Sequence, residues 1–279
     1  MIEITRNNQK VNLNCFTFNG GEESVSLQIP KIVSSEYIDI KVVLDSSSEV
    51  MRLAMVVDAV RRLYKPRYLS LNMTYIPYAR QDRVCNEGEA LSIKVFCDMI
   101  NSMGFDRVVV SNPHSDVAPA LLNNCIISKS WEISLTHLLS SRYSSKNTVL
   151  VSPDAGALKK TYELSSMAEE SFEVIVANKH RDTTTGNITN TSFSGDVTGK
   201  ICVICDDIID GGWTFIKLAE ALKNAGARKV ILAVTHGIFS KGLGVLIEHI
   251  DEVISSDSFH SKEIFDGNRN SIKTTLIRL

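Results

Sequence analysis

The chain has 279 residues, 44% of them hydrophobic and 22% charged, with a formal net charge of −2 at neutral pH. That is a core-forming globular composition without the basic excess of a nucleic-acid binder. No apolar run reaches the ~18 residues a membrane span needs.

The opening residues MIEITRNNQK lack the apolar core of a secretion signal, so a cytoplasmic protein is expected. Of the six cysteines, Cys202 and Cys205 flank an apolar strand-like run. They read as buried thiols in a reducing compartment, with neither disulfides nor a zinc site indicated. Strand-like apolar runs are predicted at 38–44, 67–73, 107–112, 148–153, 172–178, 200–207 and 229–236. Amphipathic helices are predicted at 48–64, at 91–103 before Gly104, and at 214–225 before Gly226, two glycines placed to cap them. Runs such as VILAV match strands covered on both faces. The rhythm predicts parallel sheets flanked by helices, given twice, with a seam near the polar stretch SRYSSKN. The seam lies within 128–147, the stretch that contains SRYSSKN, and we therefore expect two tandem α/β domains, residues 1–135 and 136–279.

Ligands of open parallel sheets bind at the carboxyl ends of the strands, so the segments after each strand carry the chemistry. Cys205-Asp206-Asp207-Ile208-Ile209-Asp210-Gly211-Gly212-Trp213-Thr214 leads from a strand into a helix. Asp206 and Asp207 could hold the two hydroxyls of a ribose. Gly211 and Gly212 permit a tight turn, and Thr214 and the helix N-terminus offer donors to an anion. Three aspartates exceed what an ordinary helix cap needs. After the strand at 67–73, Tyr75-Ile76-Pro77-Tyr78-Ala79-Arg80-Gln81-Asp82-Arg83 presents Arg80, whose planar fork suits phosphate oxygens, and Gln81, which can both donate and accept. By itself that stretch also reads as a solvated charged loop. His114 in Ser111-Asn112-Pro113-His114-Ser115-Asp116 could ligate a metal or touch phosphate, although a lone histidine is more often structural. Asp154 in Ser152-Pro153-Asp154-Ala155-Gly156 offers oxygen to Mg²⁺, or simply makes a turn. Lys179-His180-Arg181 introduces a polar, Thr/Asn/Gly-rich stretch of about fifteen residues, expected to be a lid-like loop or a solvated hairpin with two cations at its base.

The order of motifs YIPYARQDR, NPHS, VSPDAG, NKHR, CDDIIDGGWT and THGIFSKG resembles the ribose-phosphate diphosphokinases (PRPP synthetases) from about Phe18 to the C-terminus. The resemblance implies two similar phosphoribosyltransferase-type domains. It implies transfer of a diphosphate from MgATP to the anomeric hydroxyl of a ribosyl phosphate, by in-line attack on the β-phosphorus with AMP leaving. The resemblance assigns ATP to Arg80, Gln81 and Asp82, with Phe18 and Glu22 from FNGGE reaching a neighbouring subunit's nucleotide. It assigns the metal region to His114 and Asp154, and catalytic cations to Lys179 and Arg181. The acceptor falls to Asp206, Asp207, Asp210, Gly211, Gly212, Trp213 and Thr214. A homo-oligomer built from dimers is implied, with no nucleic-acid or membrane partner.

The departures from the family pattern are specific. Its loop usually reads D-T-x-G-T, whereas here Gly211 replaces the threonine and Trp213 a glycine. Asn112 stands for an aspartate, Gly20 for a polar adenine-contacting residue, and the family's opening strand–helix segment is expected to be largely missing. Ribose 5-phosphate is the first-choice acceptor. A larger ribosyl group such as ADP-ribose is the alternative, with Trp213 available to stack. A phosphoribosyltransferase and a non-catalytic regulatory homologue are the competing classes. The ATP-side motif YARQD and the Lys179–Arg181 pair weigh against the former, while Asn112 and Gly20 are the best support for the latter.

Overall fold

The computed structural model describes residues 1–28, 36–181, 188–259, 261–267 and 272–279, and of these the side chains of 178–181, 188–191, 261 and 262 are not described. The chain divides into two compact units, Met1–Ser128 and Lys129–Leu279.

The first unit runs β1 (Ile2–Arg6), β2 (Gln9–Val11), β3 (Leu13–Thr17), β4 (Glu23–Leu27), β5 (Tyr37–Val42), α1 (Ser47–Tyr64), β6 (Tyr68–Met73), α2 (Ser92–Ser102), β7 (Arg107–Ser111), α3 (Val117–Leu121) and β8 (Cys125–Ser128). Its main sheet has the order β2-β1-β5-β6-β7-β8, and β3 and β4 form a separate hairpin. Strands β5 to β8 are parallel, and β1 is antiparallel to both neighbours. Helix α1 starts where the Ser46 hydroxyl accepts the Glu49 N–H at 3.3 Å, and it stops at Lys65 in the left-handed region. Leu53, Val56, Val57 and Val60 of α1 pack on alternate residues of the sheet, Ile38, Ile40 and Val42 of β5 and Leu69, Leu71 and Met73 of β6.

The second unit runs α4 (Ser130–Arg142), β9 (Thr148–Ser152), α5 (Leu158–Ser166), β10 (Glu173–Arg181), β11 (Ile188–Phe193), β12 (Ile201–Ile209), α6 (Trp213–Asn224), β13 (Lys229–Gly237), β14 (Glu252–Ser256), α7 (Ser261–Gly267) and β15 (Lys273–Ile277). The sheet order is β11-β10-β9-β12-β13-β14-β15. All neighbours are parallel except the β10–β11 pair. Both faces are covered, and the alternation is direct. Cys202 and Ile204 of β12 enter one core with Val230, Leu232 and Val234, while Val203 and Cys205 enter the other with Ile231 and Ala233. The three-residue spacing of Cys202 and Cys205 therefore places the two thiols on opposite faces of a strand, where they cannot pair. Both are free, and burial pushes Cys202 up to about 11.

One sequence reading needs correction. The expected domain boundary at 135/136 would cut α4 in half. The division lies at 128/129 because Trp131, Leu135 and Leu139 of that helix pack into the second unit's core. Of the two readings of the stretch after Lys179, a lid-like loop or a hairpin, the described part agrees with the hairpin, since β10 continues to Arg181 and pairs antiparallel with β11, while residues 182–187 lie outside the described residues. The strand expected at 200–207 is β12, which keeps Asp206 and Asp207 within it and runs two residues further, to Ile209. No helix among the described residues is long and apolar enough to cross a membrane.

One buried ion-pair network fastens α4 to the sheet. The Glu252 side chain, 0% exposed, accepts from Arg142 at 3.0 Å, Lys229 at 2.7 Å, Tyr143 at 2.9 Å and Thr275 at 3.2 Å, and pairs with Lys273 at 2.9 Å. Burial alone would raise its pKa, but the bonds from Lys229, Lys273 and Tyr143 outweigh it and hold the carboxyl at about 2. A depressed pKa gives stability that is complete above the ordinary glutamate value of 4.5 and is lost as pH falls from there through about 2. Glu252→Gln should cost about 2 kcal/mol at pH 7, less than for a fully buried pair because the cations still reach water. Urea unfolding at pH 7 and pH 3 should show the wild-type advantage shrinking at the lower pH.

Candidate active site

In the first unit the segments following β6 and β7 are joined side by side. The Ser111 N–H donates to Thr74 O at 3.2 Å, and Thr74 is buried. Asp82 ties the next layer together. It is hydrogen-bonded by Ser115 and lies beside His114, while Arg83 pairs with it at 3.3 Å. The Ser115 bond holds its carboxyl below the usual range, with burial opposing and Arg83 and His114 assisting. Gln81 N–H closes a turn on Tyr78 O at 2.9 Å, with Tyr78 in the left-handed region at φ 62°. Ile76, Ala79 and Asn112 are buried beneath, whereas Arg80, Gln81 and His114 are exposed. The expected nucleotide groups are thus presented outward from a fixed floor, and Asp82 acts inside that floor. Ser115 and Thr74 were not singled out from sequence, because their role is visible only once two strand ends become neighbours.

Phe18 and Glu22 sit on the turn between β3 and β4, where Phe18 N–H donates to Glu22 O at 2.8 Å. Both are exposed, and Phe18 meets Phe16 edge to face at 4.7 Å. The hairpin is fastened to α1 by Arg52, which donates to Glu23 at 2.5 Å, Thr17 at 3.0 Å and Glu49 at 2.6 Å. The Arg52 bond holds Glu23 below the usual carboxylate range. A Cβ on Gly20 would meet nothing within 4 Å, so the departure there removes a side chain from open space.

In the second unit the acids gather at the carboxyl end of β12. Asp206 Oδ1 accepts the Asp207 N–H at 2.8 Å. Asp206 lies well above the ordinary aspartate range, first because of burial, then because of the charge of Asp207 and a carboxyl–carboxyl hydrogen bond to it, with Asp154 adding charge. Asp154 sits in the turn after β9, its Oδ1 accepting from Gly156 N at 3.0 Å and Ala157 N at 3.1 Å. Asp210 is half-buried, and Thr214 lies in the first turn of α6. Helix α6 opens at Gly212 with no side-chain cap, leaving first-turn donors available to a ligand. Gly212 has φ +83°, and a Cβ there would approach Leu246 to 3.0 Å, so this position needs glycine. At Gly211 a Cβ would come no nearer than 3.9 Å to Lys241, so the missing threonine leaves room. Trp213 is 61% exposed, with the Lys217 ammonium 4.9 Å from its ring centre. Lys217, one helical turn on, was legible as an i, i+4 partner. Next to the acids, His236 pairs in register with Ile208, and its buried Nδ1 lies 2.8 Å from Ser258 Oγ. It belongs to the THGIFSKG motif, to which no role was given. Lys179 and Arg181 fall at the end of β10, and their side chains, like residues 182–187, lie outside the described residues.

Among the described residues no group of three or more His, Cys, Asp or Glu is arranged around a metal point. Mg²⁺ is commonly held by one or two carboxylates plus substrate phosphates, and Asp154 by itself is compatible with that donor set.

A two-domain α/β protein with an acidic strand end before an uncapped helix, and a basic loop in its other half, defines a ribosyl-phosphate enzyme class. The family model for the N-terminal domain of ribose phosphate pyrophosphokinase matches residues 3–104, and that for the phosphoribosyl transferase domain matches residues 127–261. The likeness thus begins well before Phe18. A ribose-phosphate pyrophosphokinase of Vibrio parahaemolyticus is 31% identical over 252 residues, covering 88% of this chain and 79% of that one. One of Corynebacterium efficiens is 32% identical over 212 residues, covering 75% of this chain and 65% of that one. The crystal structure of phosphoribosylpyrophosphate synthetase from Mycobacterium smegmatis shares the fold, with a TM-score of 0.80 at 23% identity over 96% of this chain and 86% of that one. The chain belongs to the ribose-phosphate pyrophosphokinase family.

Because ionising Asp206 is disfavoured in the fold, its charge opposes stability. The penalty is absent below about the ordinary 3.8, grows as pH rises above that, and is complete above its own raised pKa. Asp206→Asn should therefore raise the melting temperature at pH 8 and lose that advantage near pH 4. If Asp206 holds the acceptor, as the resemblance implies, the substitution should also weaken acceptor binding by roughly tenfold or more, the loss of charge-assisted bonds to a hydroxyl. Scanning calorimetry at the two pH values, beside the KM for the acceptor, checks both halves.

Proposed function

We propose that the protein transfers a diphosphate group from ATP to the C1 hydroxyl of ribose 5-phosphate, giving 5-phosphoribosyl 1-diphosphate and AMP. The observation that carries this is the acid pair Asp206–Asp207 at the end of β12, directly before the uncapped, glycine-opened N-terminus of α6. Two adjacent carboxylates suit the two vicinal hydroxyls of a ribose, and the free first-turn N–H groups with Thr214 suit its phosphate. Names of the relatives support the same assignment.

Arg80 and Gln81 are assigned to the nucleotide, with Asp82 fixing their loop through Ser115 and Arg83. Phe18 and Glu22 are assigned to the nucleotide of a neighbouring copy; in support, both are exposed on a hairpin that Arg52 anchors. That assignment makes the active protein a homo-oligomer. His114 and Asp154 would help hold Mg²⁺, which neutralises phosphate charge when bound. Reactions of this type depend on positioning and charge neutralisation, so Lys179 and Arg181 are assigned to the charge that builds on the transferred group. Lys179→Ala should lower kcat by about 10²–10³ with little change in KM, as for loss of one transition-state donor. Steady-state measurement of AMP release checks this. A fall in affinity alone would remove Lys179 from the transition state.

A second acceptor is favoured by one cluster of observations. Gly211 leaves open space, and Trp213 stands exposed at the first position of α6 with Lys217 against its ring. An indole and an ammonium at this point suit a ribosyl acceptor with a distal aromatic, negatively charged group such as ADP-ribose. AMP release measured with ribose 5-phosphate and with ADP-ribose, in wild type and Trp213→Gly, separates the readings. With ribose 5-phosphate as the acceptor, Trp213→Gly changes its turnover little. If the larger acceptor is the substrate, ADP-ribose turnover is the higher and falls about tenfold in Trp213→Gly, as for one lost stacking contact. Intact ATP binding without AMP release from either sugar would mark a non-catalytic relative.

A further inference from the structure

We propose that the amino end of the second unit's sheet holds an oxyanion-binding site, separate from the acid pair at its carboxyl end. Strands β9, β12 and β13 begin at Thr148, Ile201 and Lys229, and these three residues border an open cleft of about 610 Å³. Arg142, Ser144, Asn147 and Arg228 complete the polar part of its wall. The acids Asp206 and Asp207 lie at the opposite end of β12, so this cleft is not part of the acceptor loop.

Three features select an anion. The first is charge. Arg142, Arg228 and Lys229 line the cleft, and Lys273 stands next to it on Glu252. Glu252 offsets only part of that charge, because one carboxylate is shared by Arg142, Lys229 and Lys273. The other lining acid, Asp251, is already occupied, accepting from Lys223 at 3.1 Å and from the Val230 N–H at 2.7 Å. The second feature is Arg228. It is exposed, its backbone is fixed by an N–H bond to Lys200 O at 2.8 Å, and its guanidinium makes no ion pair or hydrogen bond among the described residues. Its planar fork can meet an oxyanion with two parallel N–H bonds, from a backbone position that is fixed. The third is Thr148. The residue is 1% exposed and its Oγ1 has no hydrogen-bond partner. A buried hydroxyl left unmatched costs about 1–3 kcal/mol, and valine would fill the same strand position without that cost. In this proposal the bound anion accepts from the Thr148 hydroxyl once the side chains over it move aside. Ser144 and Asn147 add neutral donors, and Ile201 supplies an apolar wall. The chemistry fits one phosphate or carboxylate group, free or carried on a larger molecule.

The test uses the full-length protein with inorganic phosphate and, separately, succinate as probes, read by amide hydrogen exchange. Binding at this site should slow exchange in segments 142–148 and 226–230. Protection by both probes defines a general oxyanion site, and protection by phosphate alone defines a phosphate site. Arg228→Gln should weaken that protection by roughly tenfold or more, the loss of charge-assisted hydrogen bonds. Thr148→Val should weaken it as well, while its melting temperature equals or exceeds that of wild type, so that the loss cannot be ascribed to unfolding. Protection confined to 210–214, or unchanged affinity in either variant, overturns the proposal. No outcome at this cleft bears on which acceptor the acid pair takes.

Discussion

Everything in the second unit is organised around the difficulty of keeping two carboxylates at the end of a strand that is otherwise covered on both faces. Asp206 is pushed well above its ordinary range by burial and by its neighbour, so ionising both acids together is electrostatically unfavourable. Hydroxyl donors or a cation relieve exactly that repulsion, which makes ligand binding and local stability two sides of one interaction. The sheet carries the cost because its cores are continuous on both faces and β12 lies between β9 and β13. A flexible loop would let the two acids move apart, whereas a strand paired to β13 as far as Ile209 holds them together.

The same strand determines how the acceptor loop ends. Ile238 N–H donates to Ile209 O at 2.9 Å, so strand pairing continues to the point where the turn begins. Gly212 then reverses the chain with a positive φ and is pressed against Leu246, which leaves α6 starting without a side-chain cap. The donors a cap would have taken are left for an anion. The substitutions at 211 and 213 act on this frame without breaking it, since neither is the position that needs glycine. They change what stands around the pocket: less at 211, an indole with a cation against it at 213.

The first unit uses a different device. Its basic loop is stiffened by a carboxylate, Asp82, held between Ser115 and Arg83 beside His114, and by α2, whose Ile93 N–H donates to Gln81 O at 3.4 Å. Charged groups that act on a nucleotide gain most when they are already in place, because ordering long side chains costs conformational entropy. The Arg52 network does the same for the hairpin that carries Phe18 and Glu22.

The sequence by itself determined the class of fold, the central strands, the long helices α1 and α6, and the identity of the acids and cations, because apolar periodicity and a strand-to-helix acidic motif are local properties of the chain. It also pointed to the family through the order of its motifs. Only the tertiary structure decided where the units divide, since α4 is assigned by the core that receives Trp131 and Leu139 and not by its own residues. Tertiary pairing alone decided between the two readings of the stretch around Lys179, in its described part, and carried β12 past Asp207 to Ile209. The short strands β1 to β4, β14 and β15 were missed because three- to five-residue segments carry too little periodicity, and their state is set by partners distant in sequence. For the same reason Ser115, His236, Glu252 and Arg228 were silent in the sequence, as each takes its meaning from residues that folding brings beside it.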